Sequence, residues 1–292
     1  MNATVLIADD WNDYRLLDSG DGQKLEQVGP YRFIRPEPQA LWRPLHEAQW
    51  AKADAVFTGG SGDDEESGRW RFDAPLPEHW PLAWDRLRFL SRPTPFRHLA
   101  FFPEHSVHWR FAREQIVAMK RDGETPNVLN LFGYTGLASL ACAEAGASVT
   151  HIDASKKAIG FARDNQAAAG LSETPIRWIA DDALTFVRRE IKRGKKYHGI
   201  ILDPPKFGRG PNGEIWRLET DLRDLLEGCA AVLHQRAFLI ATVYAVRLSY
   251  LSLLETARQI VPHGAWEAGE MCLPHAQDER LLPTAIFARW RA

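Results

Sequence analysis

The sequence predicts an α/β fold, with a mostly parallel sheet carrying helices on both faces, preceded by a small β-rich domain. Two observations carry this. From about His105 onward, strand-like apolar runs alternate with helical stretches of ~10–15 residues, the signature of βαβ units. Before residue 100 the chain reads as short aromatic and β-branched runs punctuated by Gly and Pro, which fits hairpins. The domains are placed at 1–100 and 101–292.

The first domain opens with strands at YRLLD, KLEQV and YRFIRP, turned by SGDG and GP. The polar stretch TGGSGDDEESG, residues 58–68, reads as an exposed loop before a strand at RWRF, and further strands follow at LRFLSR and FRHLAFF. Seven of the eleven tryptophans precede residue 110, and a small core that needs bulky fillers explains them better than ligand stacking does. In the second domain HSVHWRFAREQIVAMK has helical spacing. Strands then alternate with helices: NVLNL, LASLACAEAG, SVTHID, SKKAIGFARDNQAAAG, IRWIADD, ALTFVRREIKRG, HGIILDPPKF, DLRDLLEGCAAVL and AFLIATVY. WEAGEMCLP and PTAIFARW close the chain as an antiparallel pair.

With 36 Lys+Arg against 38 Asp+Glu in 292 residues, the net charge of −2 excludes a protein that coats nucleic acid through bulk charge. The average hides an asymmetry: residues 1–100 hold 12 basic and 16 acidic residues, the remainder 24 and 22. Cys142, Cys229 and Cys272 are too widely spaced for a disulfide framework or a zinc knuckle, which points to a reducing, cytoplasmic compartment. The opening MNATVLIADDWNDYR does not read as a secretory leader, and no apolar run approaches the ~18–20 residues that span a bilayer.

In an open parallel sheet, ligands sit beyond the carboxyl ends of the strands. The first such end reads Asn130, Leu131, Phe132, Gly133, Tyr134, Thr135, Gly136, where two glycines permit a tight turn. Asp153 ends the second strand 20 residues after Gly133, the spacing at which an acid accepts hydrogen bonds from a ribose. Asp181 and Asp182 end the third, placed to receive an adenine amino group, and Asp203-Pro204-Pro205-Lys206-Phe207 ends the fourth. A dinucleotide site would want Gly-x-Gly-x-x-Gly and room for a pyrophosphate. This turn is Gly-x-x-Gly flanked by bulky Phe132 and Tyr134. A nucleoside cofactor without phosphates fits better, and S-adenosylmethionine is the common one.

LNLFGYTGLASLACAEAGASVTHIDASKKAIGFARDNQAAAG, followed by IADDAL and IILDPPKFGRG, resembles the class I S-adenosylmethionine-dependent methyltransferases. Within them it is similar to the large-subunit ribosomal RNA cytosine-5 and guanine-N7 methyltransferases. The resemblance implies a Rossmann-like fold with a seven-stranded mostly parallel sheet. It implies cofactor contacts at Asn130, Phe132, Gly133, Tyr134, Thr135 and Gly136 for the methionine end, and at Asp153 with Ala154 for the ribose. Asp181 or Asp182 would meet the adenine, and Asp203 would lie near the sulfonium. His105, in Phe102-Pro103-Glu104-His105, occupies a segment that helps close over the cofactor, although many members have Gln there. Asp203, Pro204, Pro205 and Phe207 are the catalytic candidates, with Phe207 able to stack on a base.

Cytosine-5 chemistry needs a thiolate that adds to the ring, and in those members the Cys follows the fifth strand. Here Ile240-Ala241-Thr242-Val243-Tyr244-Ala245-Val246 contains none, and Cys142 and Cys229 fall on apolar helix faces. Direct attack by a nitrogen or oxygen nucleophile fits better. Arg188, Arg189, Lys192, Arg193, Lys195 and Lys196 form a basic run that could dock backbone phosphates, and Lys206 and Arg209 lie on the loop after the fourth strand. The expected function is methyl transfer from S-adenosylmethionine to RNA, with ribosomal RNA favoured and rRNA processing as the setting. A protein or small-molecule methyltransferase and a non-catalytic cofactor-binding protein are the alternatives.

Overall fold

The computed structural model describes residues 3–59, 68–244 and 248–292. Most of the loop expected at 58–68, together with Ala245 and Val246, lies outside the described residues. The chain runs β1 (Thr4–Ile7), β2 (Tyr14–Gly20), β3 (Gln23–Val28), β4 (Tyr31–Pro36), the single-turn α1 (Glu47–Trp50), β5 (Ala55–Thr58), β6 (Arg69–Phe72), β7 (Trp80–Trp84) and β8 (Leu87–Ser91). A 3-10 turn at Pro103–His105 leads into α2 (Ser106–Arg121). Then come β9 (Asn127–Leu131), α3 (Leu137–Glu144), β10 (Ser148–Asp153), α4 (Lys156–Ala168), β11 (Ile176–Ala180), α5 (Ala183–Lys192) and β12 (Tyr197–Leu202). The chain ends with β13 (Phe207–Arg209), β14 (Ile215–Arg217), α6 (Leu218–Ala231), β15 (Leu233–Val243), α7 (Tyr250–Ile260), β16 (Ala265–Pro274) and β17 (Leu281–Arg291).

These elements form two compact units, and each takes more than one stretch of chain. The α/β unit comprises residues up to Leu6, Val107–Met271 and Ala285–Ala292; the β-rich unit comprises Ile7–Ser106 and Cys272–Thr284. The sheet of the α/β unit has the order β1-β16-β17-β15-β12-β9-β10-β11. Strands β11, β10, β9, β12 and β15 are mutually parallel, and β17 runs antiparallel to β15. It therefore has eight strands where seven are expected, the extra one being the amino-terminal β1 at the edge beside β16. Gly269 of β16 makes this possible, since a Cβ there would overlap the Thr4 backbone.

Period-two alternation builds both faces. Leu129, Leu131, Ile200, Leu202 and Leu239 pack with α5, α6 and α7 through Phe186, Leu225, Leu226 and Leu253. Val128, Ile201, Phe238 and Ile240 pack on the other face with α2 and α3 through Ile116, Met119 and Cys142. Among the described residues, no helix is long and apolar enough to cross a membrane.

The β-rich unit holds the five-stranded sheet β2-β3-β4-β5-β6 and the hairpin β7-β8. Trp80 and Trp84 are buried as core fillers, and its other tryptophans are partly buried. Trp80 stacks on Phe33 at 5.6 Å and 6°, and the Trp84 and Trp50 indoles donate to Asp10 and Asp18. FRHLAFF is not a strand. Pro93 and Pro95 remove two backbone donors, Thr94 Oγ1 donates to the Phe96 and His98 carbonyls, and Ala100 is left-handed, so the segment folds back on itself.

Candidate active site

The parallel register levels the strand ends. Leu131 pairs with both Ile152 and Leu202, and Asp153 pairs with Ala180. Phe132, Asp181 and Asp203 therefore stand one step beyond the last paired residues of their strands, and Asp153 is itself the last paired residue of β10, so all four lie on the carboxyl edge.

The turn after β9 is strained and tightly held. Phe132 and Tyr134 are both left-handed (φ 55° and 50°), an uncommon state for aromatic residues, and strain of this kind concentrates at ligand sites. Asp153 fixes the turn: its Oδ2 accepts from the Tyr134 N–H at 2.8 Å and its Oδ1 from the Ser155 N–H at 2.8 Å. Burial pushes the Asp153 carboxyl above the ordinary carboxylate range, against the pull of those two hydrogen bonds.

The two glycines are needed for a reason the sequence conceals. Gly133 lies directly on His151, and a Cβ would overlap that ring and come within 2.8 Å of Asn130 Nδ2. Gly136 (φ 86°) lies on Trp178, where a Cβ would stand 2.9 Å from the indole. Below the turn Asn130 Nδ2 donates to Ser139 Oγ at 2.9 Å, and Ser139 Oγ is 3.0 Å from His151 Nδ1. Burial drives the His151 pKa down to about 3, so this ring is a neutral support. Asn130 is thus placed beneath the turn, and the buried Thr135 accepts a hydrogen bond on its carbonyl from Asn165.

The acids after β11 divide by geometry. Asp182 is the N-cap of α5, its Oδ1 accepting from the Thr185 N–H at 2.8 Å. Asp181 accepts from the Asp182 N–H and pairs with Arg189, while its own N–H donates to the Asp153 carbonyl. Ala154 follows Asp153 before the Ser155 N-cap of α4.

After β12, Asp203 is half-buried and Pro204 buried, while Pro205, Lys206 and Phe207 are exposed. Where the sequence suggests only a loop, β13 and β14 form a short hairpin, with Phe207 opposite Arg217 and Arg209 opposite Ile215. Its inner residue Trp216 is buried, packs on Phe132 at 5.1 Å and donates its indole N–H to the Pro205 carbonyl at 2.7 Å. The hairpin thereby joins the β9 turn to the Pro-Pro turn. The Pro205 carbonyl is taken by the protein itself. Trp216, His151 and Trp178 stand around these turns although no sequence motif points to them.

Most of the basic run leads away from these turns, Arg189 excepted, which reaches Asp181. α5 starts at the carboxyl edge and returns the chain to the amino end of β12, carrying Lys192 and the residues after it away from the turns. Arg188 pairs with Asp224, Arg189 with Asp181 and Arg193 with Glu190, and Lys196 donates to the Ala231 carbonyl. These cations suit a helix C-terminus. His105 belongs to the β-rich unit, buried beside Phe102. All three cysteines are buried, and burial raises the Cys142 and Cys229 thiols to about 12.

The structure matches the crystal structure of a SAM-dependent methyltransferase from Agrobacterium tumefaciens with a TM-score of 0.93 and 46% sequence identity. That match covers 100% of this chain and 94% of the other. The chain belongs to the S-adenosylmethionine-dependent methyltransferases.

No family model matches the sequence. This methyltransferase is 34% identical over 155 residues, 52% of its chain, to ribosomal RNA large subunit methyltransferase K/L of Shewanella frigidimarina. It is 42% identical over 82 residues, 28% of its chain, to ribosomal RNA large subunit methyltransferase I of Shewanella denitrificans. The matched stretches span 20% and 21% of those curated relatives. The donor set of this methyltransferase fits S-adenosylmethionine: acceptor carboxylates at Asp153 and Asp181, and no Lys or Arg within residues 130–136 to bind a phosphate.

Proposed function

We propose that this methyltransferase transfers a methyl group from S-adenosylmethionine directly to a nitrogen or oxygen of an RNA base, with ribosomal RNA the favoured substrate and the cytoplasm the setting. One observation carries the reading: the strained β9 turn, Asp153 and the Asp203-Pro204-Pro205 turn stand level on one sheet edge. When bound, the cofactor supplies a methyl group already activated on a sulfonium. The residues need only bind, align and manage a proton.

In this reading the backbone of Phe132–Gly136 holds the methionine end, Asp153 accepts hydrogen bonds from the ribose hydroxyls and Asp181 or Asp182 serves the adenine. The Asp203 carboxylate accepts a hydrogen bond from the acceptor group and takes up the proton it loses. The names of the Shewanella relatives support RNA as substrate. The absence of Cys after β15, and the burial of the three cysteines, support attack without a covalent enzyme intermediate.

Calorimetric titration with S-adenosylmethionine tests the pocket. Wild type binds, and Asp153→Ala weakens binding about tenfold or more; a wild type that does not bind sinks the reading. Ribose hydroxyls need the ionised carboxylate, so wild-type affinity falls as pH drops through the raised Asp153 pKa. Asp153→Asn flattens that pH dependence. Mass spectrometry of nucleosides from cells lacking the protein tests the substrate. A methylated base must disappear from ribosomal RNA, and an unchanged profile transfers the assignment to a protein or small-molecule acceptor.

A further inference from the structure

The hairpin after the Pro-Pro turn has one face with no role in the fold. Gly208 and Trp216 form the inner pair, so Phe207, Arg209, Ile215 and Arg217 share the outer face. All four are exposed, Phe207 by 52% and Ile215 by 56%, so two large apolar side chains lie together on one solvent-facing patch. The register sets the two arginines on one diagonal of a two-by-two patch, ~7–8 Å apart, and the two apolar side chains on the other. Among the described residues, neither the Arg209 nor the Arg217 guanidinium has an ion-pair partner. Glu214, the only acid in residues 206–217, turns back to accept from the Asn212 N–H and Nδ2 in the tip. The face is therefore cationic and apolar; the carboxylate beside it, Asp221, is turned to the Arg217 backbone N–H and the Thr220 hydroxyl rather than to either guanidinium.

We infer that this outer face docks unpaired RNA, one base lying on Phe207 against Ile215 and the adjoining phosphates on Arg209 and Arg217. The inference rests on the RNA reading above and goes beyond it by naming the surface that presents the strand. Three observations favour single-stranded nucleic acid. Alternating cations and apolar side chains match a chain of alternating phosphates and bases. Strands of three residues are too short to track a duplex groove but suffice for one or two nucleotides. Trp216, through Phe132 and the Pro205 carbonyl, fixes the face to both candidate turns.

The test is fluorescence anisotropy of a fluorescein-labelled mixed-sequence single-stranded RNA across a salt series, with the full-length protein and a duplex of the same sequence in parallel. Arg209→Gln/Arg217→Gln is expected to reduce the slope of log affinity against log salt by about 1.4, since each phosphate contact on a single strand contributes about 0.7. Phe207→Ala is expected to weaken single-strand binding about tenfold. Arg223→Gln, on the exposed face of α6, is expected to leave the slope unchanged. The inference is overturned if the double variant keeps the wild-type slope, if Arg223→Gln lowers it equally, or if the duplex loses as much as the single strand. It is overturned as well if wild type binds no RNA. Titration of wild type with S-adenosylmethionine reads the cofactor site separately, so failure of the docking face and failure of the methyltransferase pocket give different results.

Discussion

Gly133 shows how much one missing side chain decides. Its Cα sits on the ring of His151, itself braced by Ser139 and Asn130, so the turn after β9 can close only without a Cβ. Gly133→Ala is expected to cost about 1–3 kcal/mol through overpacking, read as a lower thermal midpoint, and to weaken S-adenosylmethionine binding by displacing Phe132 and Tyr134. A variant with wild-type stability and affinity would show that His151 gives way. The glycines of this turn were legible as glycines. Their reason was not: the sequence explains them by a tight turn alone, while the structure puts protein side chains against them from below. His151 carries no signal in the sequence that separates it from any strand residue preceding an acid.

Among the elements, the β13–β14 hairpin changes the picture most. The sequence GRGPNGE reads as a Gly/Pro-rich loop, and strands of three residues are too short to show a period. What makes it an element is Trp216, which buries its ring against Phe132 and satisfies its N–H on Pro205. Trp216→Phe keeps an aromatic ring and removes that hydrogen bond. The expected loss is about 1 kcal/mol, a fall in melting temperature of about 2–4 °C. Single-turnover methylation should fall more than cofactor affinity does, because the Pro-Pro turn loses its tether; equal losses in both would refute a role in presenting the acceptor. α5 teaches the converse lesson. Its basic run was plain in the sequence, but the helix direction and the pairs to Asp224, Asp181 and Glu190 decide where the charge goes.

For the molecule as a whole, each unit depends on chain segments far apart in sequence. Asp18, fully buried in the β-rich unit, accepts from the Ser19, Leu45 and His46 N–H groups, the Trp50 indole and Arg280. Burial pushes its carboxyl up, but the hydrogen bonds from Trp50, Arg280, His46 and Leu45 outweigh this and hold it below the usual range. A depressed carboxylate contributes stability above its unfolded pKa of about 3.9, and that contribution is lost as pH falls through the lower folded value. Asp18→Asn should lower the thermal midpoint at neutral pH, costing about 3 kcal/mol, and should flatten the loss of stability on acidification; an unchanged acid limb would refute the role. The α/β alternation, the line of acids at strand ends and the absence of a cysteine just after the fifth strand were all set by the sequence without help from the fold. These features are local, because periodicity and strand termini are written in neighbouring residues. Tertiary contacts alone settled that β1 joins the far edge of the sheet, that residues 272–284 complete the β-rich unit, and that His151 and Trp216 support the two turns. Such pairings form between residues distant in the chain, where burial and hydrogen-bond satisfaction choose the partners and no sequence period records them.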